Sequence, residues 1–116
     1  MLEEALKHKY NKEIVDIYNN WNIDFDKPLE QQIEELHEDI IQITFAKGYS
    51  LDVGWYPAYN ICGQFKGVVL QHSNWDNPIY TMETNNPKVM EDWVMEATEC
   101  VLDSYSSSGN HKTAGI

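Results

Sequence analysis

Along the first twenty residues the apolar side chains return at intervals of three, four and seven or eight. Leu2, Leu6, Ile14, Ile17, Tyr18 and Trp21 make one stripe on this period, which predicts a helix from Met1 to about Asn20. "NNWNIDFDKP" breaks the stripe with Asn, Asp and Pro. Asp26 is placed to cap a second helix, with Pro28 near its first turn, where a missing N–H costs nothing. That helix would turn Leu29, Ile33 and Leu36 inward and Glu30, Glu34 and Glu38 outward.

From about Asp39 the period falls to two. Ile41, Ile43 and Phe45 alternate with Gln42 and Thr44, and after "KG" at 47–48 Tyr49, Leu51, Val53 and Trp55 alternate with Ser50, Asp52, Gly54 and Tyr56. Gly48 suits the positive φ of a tight turn. "PAYNICG" reads as a loop, "QFKGVVLQH" as a third strand and "PIYTMET" as a fourth. Gly54 and Gly67 inside strands predict a bulge or a close backbone approach. "NNP" at 85–87 opens a last helix whose inward stripe is Met90, Trp93, Val94, Ala97 and Val101. The order predicts one α+β domain over 1–105: a four-stranded antiparallel meander with two N-terminal helices and one C-terminal helix. A polar tail, "SYSSSGNHKTAGI", follows, with 106–116 outside the domain.

Charge narrows the partners. Nineteen acids against eight bases give −11, and every base is a lysine. A chain without arginine lacks the bidentate fork used for phosphate and base edges, and its field repels polyanions, which argues against nucleic acid. A basic protein partner is the natural complement, and solubility alone is the other account of the charge. No apolar run approaches the ~20 residues of a membrane span, and the acidic amphipathic N-terminus has no signal-peptide core, so the expected compartment is the cytoplasm. The bias to Lys, Asn, Ile and Tyr without Arg matches the usage of AT-rich bacterial genomes. Cys62 and Cys100 lack CxxC spacing and are expected to be free, semi-buried thiols.

No motif names a reaction. His8, His37, His72 and His111 make no HxH, HxxxH or HExxH spacing, so neither a metal nor another cofactor is expected. The nearest approach to a nucleophilic site joins Cys62, His72 and Asp76, but these flank opposite ends of the third strand. Two other sets stand out. Asp92, Glu96, Glu99 and Asp103 share one face of the last helix at i, i+4, i+7 and i+11, a solvated face or a steering patch for a basic partner. Trp55 continues a core face, whereas Tyr56, Tyr59 and Trp75, with Asp76 beside Trp75, lie where rings contact partners.

The stretch "LDVGWYPAYNICGQFKGVVLQHSNWDNP" within 49–105, followed by an acidic helix, resembles small bacterial immunity proteins of polymorphic and contact-dependent toxin systems. The resemblance implies a non-enzymatic cytoplasmic inhibitor that occludes a toxin domain, often a basic nuclease. The competing classes are a small enzyme or small-molecule binder with a pocket between sheet and helices, and a structural homodimer joined through the sheet.

Overall fold

The computed structural model describes residues 12–114, with their side chains as far as residue 105. Five strands, β1 (Ile14–Asn19), β2 (Ile41–Phe45), β3 (Tyr49–Tyr56), β4 (Gln64–Gln71) and β5 (Tyr80–Thr84), pair antiparallel in chain order. One long helix, α1 (Pro87–Ala114), packs against β3, β4 and β5. The expected α+β meander is present, but it has five strands, and its described residues include no N-terminal α-helix.

Both corrections have local causes. The predicted first helix fails at 12–19, where a turn at 12–13 leads into the edge strand β1; its first part, 1–11, lies outside the described residues. In β1, Ile14 faces Phe45 while Asp16 faces Thr44, so Val15 is an extra residue in a bulge. Ile17 then faces Ile43, and the inward residues fall three apart instead of two. A bulged strand thus imitates helical spacing, and β-branched Ile14, Val15 and Ile17 favour the strand.

The predicted second helix is a seven-residue 3₁₀ segment, Leu29–Glu35, broken at Gln32 (φ −140°). Gln32 is buried because its amide serves the preceding loop. Its Oε1 accepts from Asp24 N at 2.8 Å, and its Nε2 donates to Asp24 O at 2.9 Å and Lys27 O at 3.1 Å. Those bonds hold the 24–27 loop and take Gln32 out of helical geometry. Pro28, not Asp26, stands at the start; Asp26 N instead donates to Asp24 Oδ1. Leu36 is nevertheless fully buried, and Leu29 and Ile33 pack against the core.

Between α1 and the sheet the core is filled by Ile41, Ile43, Phe45, Leu51, Val53 and Trp55, met from α1 by Met90, Trp93, Val94, Ala97 and Val101. Trp21 reaches across to Phe65, with ring centroids 5.2 Å apart, and Trp55 meets the same ring edge-on at 4.8 Å. The helix comes this close because Gly67 has no side chain: a Cβ there would lie 2.4 Å from Trp93 Cζ3. Tyr105 closes the far end, donating its hydroxyl to the Ala46 carbonyl and packing against Tyr49.

Candidate functional site

The same strands present a second face, away from α1. Alternation places Ser50, Asp52, Gly54 and Tyr56 of β3 there, and Gln64, Lys66, Val68 and Leu70 of β4. Register sets Asp52 opposite Val68, Lys66 between Gly54 and Glu83, and Tyr56 opposite Gln64. On a fully solvated face Val68 and Leu70 would be exposed, yet they are 5% and 2% exposed.

Trp75 sits over part of this face. Beyond β4, His72 and Ser73 adopt positive φ (55° and 57°), and Asn74 N donates to Gln71 O at 3.2 Å, the dihedral signs of a type I′ turn. The chain rejoins the ladder where Ile79 N donates to Val69 O at 2.8 Å. The intervening loop brings Trp75 to a cleft of about 450 Å³, floored by Val68 and lined also by Asp52, Tyr56 and Lys66, with Gln64 and Glu83 at one side. Trp75 itself stays 61% exposed.

Tyr56 is fixed from below. Gly54 lies beneath the Glu38 carbonyl, whose oxygen would be 2.0 Å from a Cβ at that position, and Tyr56 Cε2 is 3.0 Å from the same point. The Tyr56 hydroxyl donates to that Glu38 carbonyl at 3.4 Å. The bulge carrying Glu38 and Asp39 is anchored on either side, where Trp55 N donates to His37 O and Ile40 N to Val53 O. The ring therefore closes over a glycine at the wall of the cleft, and the approach expected at Gly54 is made by the Glu38 backbone.

The electrostatics are acidic. Burial, then the charge of Asp39, push the Asp52 carboxyl above the ordinary carboxylate range, and a Gln42 hydrogen bond at 3.4 Å only partly opposes this. The Tyr56 phenol is raised by burial and by the charges of Asp52, Glu38 and Asp39. Lys66 supplies a cation, and the neighbouring Glu83 also accepts from Gln64 at 3.3 Å.

The sequence-predicted residues do not converge. Tyr56 and Trp75 share the cleft; Asp76 is exposed on the Trp75 loop but does not line it. Tyr59 lies in the 57–63 loop with φ 60°, its N–H donating to Leu36 O at 2.7 Å and its ring exposed. Asp92, Glu96 and Asp103 are exposed on α1 and Glu99 is half-buried there, on the other side of the sheet from the cleft. Asp92 accepts from Lys88 at 3.2 Å. Cys62 and Cys100 are free thiols but exposed, not semi-buried, and Cys62 and His72 flank opposite ends of the eight-residue β4, a strand roughly 26 Å long at ~3.3 Å per residue. Among the described residues no group of three or more His, Cys, Asp or Glu side chains is placed to hold a metal. None of the described helices is long and apolar enough to cross a membrane.

Asp52, Lys66 and Glu83 were absent from the sequence-predicted set. Their signal was the outward register of β3 to β5, which becomes a site only once the loop folds back. A second, shallower cleft of about 520 Å³ opens beside the start of α1, with Phe25, Leu29 and Ile61 as apolar lining and Lys27 and Lys88 among its polar residues. Comparison of the chain with protein-family models, curated proteins and solved structures found no match.

Proposed function

We propose that this chain is a non-enzymatic, protein-binding inhibitor of the immunity type, which neutralises a basic toxin domain by docking it on the outer face of the sheet. The observation that carries the reading is the cleft: Trp75 and a Tyr56 held in place, beside the carboxylate of Asp52, on a chain of net charge −11. Aromatic rings of low conformational freedom are the usual anchors of interfaces, and acidic surroundings select and steer a basic partner. The space between α1 and the sheet is filled by Trp93, Met90 and Val94, which favours a surface site over an interior small-molecule pocket. In this reading the α1 acids contribute to the long-range field and lie outside the docked interface.

The test is to express the tagged chain in its native cell, capture partners at low and high salt, and co-express the captured protein alone and with the chain. A stoichiometric basic partner, released by salt and toxic unless the chain is present, supports the reading. A captured protein whose toxicity or activity the chain leaves unaltered overturns inhibition.

A further inference from the structure

Basic proteins offer lysine and arginine, and the cleft distinguishes them. We propose that it is an arginine pocket: the guanidinium of a partner arginine stacks on the Tyr56 and Trp75 rings and pairs with the Asp52 carboxylate. The inference rests on the reading of this face as the partner's contact.

Five observations support it. Two aromatic side chains line one cleft, and the Tyr56 ring packs over Gly54, its hydroxyl 3.4 Å from the Glu38 carbonyl, so a stacking surface exists before binding. A planar guanidinium stacks on rings and forks onto a carboxylate, whereas an ammonium is a compact, strongly hydrated point charge. Among the described residues, the one hydrogen bond to the Asp52 carboxylate is a long contact at 3.4 Å from Gln42, its register partner on β2, and on β4 it stands opposite the apolar Val68. The resident cation, Lys66, stands directly opposite Glu83 in the β4–β5 ladder rather than opposite Asp52. With Glu38 and Asp39 close enough to act on Tyr56, the local balance favours an incoming cation. The volume, about 450 Å³, lies within the range of ligand clefts and admits a long side chain with the loop that bears it.

The probe is Nα-acetyl-arginine methylamide, titrated into the full ¹⁵N-labelled chain while the tryptophan indole N–H signals are followed. The arginine probe is expected to shift the Trp75 signal saturably and leave those of the buried Trp55 and Trp93 in place. The lysine analogue should bind about tenfold more weakly, the loss of roughly 1.4 kcal/mol of stacking and fork pairing. The uncharged citrulline analogue should leave Trp75 unmoved. Asp52→Asn should remove the arginine response while the rest of the spectrum stays native. Equal shifts from arginine and citrulline, an unchanged response in Asp52→Asn, or no Trp75 shift at all would each overturn the pocket. Repeating the capture with Asp52→Asn/Trp75→Ala separates the two readings. A partner held and neutralised equally by this variant and the native chain overturns the arginine pocket and leaves inhibition standing. An arginine probe that binds in the cleft, beside a captured protein that the chain does not neutralise, overturns inhibition and supports the pocket.

Discussion

The two faces of the sheet use the same strands in opposite ways. On the inner face Trp55 is fully buried, its indole N–H donates to Asn60 O at 2.8 Å, and Gly67 lets Trp93 settle onto β4. On the outer face Trp75 is 61% exposed, and Gly54 lets the Glu38 backbone and the Tyr56 ring close over β3. One glycine on each face admits an aromatic neighbour. Inside, the result is a filled core; outside, it is an open cleft with a fixed wall. A ring that is satisfied on every side stabilises the fold, whereas a ring left half in water is available to a partner.

The largest effect should come from the inner face. Trp55→Ala removes a fully buried indole in contact with Phe65 and should cost about 3–5 kcal/mol, read as a lower urea midpoint with unchanged slope. A loss below about 1 kcal/mol would mean that the core collapses around the gap, and the contrast between the faces would weaken.

Gly54→Ala sharpens the comparison, because it acts on the outer face but through backbone. The new Cβ would meet the Glu38 carbonyl at 2.0 Å, and a main-chain oxygen bonded into its surroundings cannot rotate away. A cost of about 3 kcal/mol is expected, at the upper end for overpacking. Gly67→Ala meets the Trp93 ring at 2.4 Å instead. A side chain yields more readily, so about 1–3 kcal/mol is expected there. If denaturant titration ranks the two the other way, the Glu38 bulge is softer than its hydrogen bonds imply.

These glycines also show what a linear reading can reach. Their placement inside alternating strands announced close approach, and alternation together with the Lys47–Gly48 turn (φ 63° and 84°) made β2 to β5 legible. The inward stripe of α1 was legible for the same reason, since Met90 and Val94 are fully buried. The bulge at Val15 was not, because one inserted residue changes a period of two into a spacing of three. Gln32 was hidden too: nothing in a local window reveals that its amide will hold a loop five to eight residues earlier. The site was half legible. Tyr56 and Trp75 stood out by their rings, but Asp52 entered only through the fold of the 72–78 loop. The α1 acids, the most conspicuous pattern in the sequence, lie across the sheet from the cleft.

A smaller effect, with the opposite sign, is expected at Asp52. Burial and the nearby Asp39 raise its carboxyl above the ordinary 3.8, so the folded chain holds that proton more tightly than the unfolded one. Stability conferred by protonation is therefore present at low pH and is lost as pH rises from 3.8 through the raised value. The Gln42 hydrogen bond opposes the trend in part, and Glu83 and Lys66 are the other charged side chains that line the same cleft among the described residues. At pH 7, Asp52→Asn should melt about 1–3 °C higher than the native chain, a modest rise because water still reaches the carboxyl. The advantage should shrink as pH falls through the raised value and should be gone below 3.8. A lower melting point at pH 7 would show that the carboxylate stabilises the fold, and the case for an acid kept for a partner would lose its stability argument.

Trp75→Ala should have the smallest effect on stability and the largest on binding. The ring is 61% exposed, on a loop held by main-chain bonds at Asn74 and Ile79 that the substitution leaves intact. Surface changes of this kind fall within about 0.5 kcal/mol, so the thermal midpoint should stay nearly fixed. Val68 beneath it loses part of its cover, which sets the sign as slightly destabilising. An interface anchor of this type is worth about 2 kcal/mol or more, so a partner of this face should bind at least about thirtyfold more weakly, mostly through faster dissociation. The two measurements read together decide what the ring is for. A stable chain with lost binding makes Trp75 an anchor. A loss of several kcal/mol in stability would instead make it the lid of a small outer core built on Val68 and Leu70, and the two faces would then differ in size and not in kind.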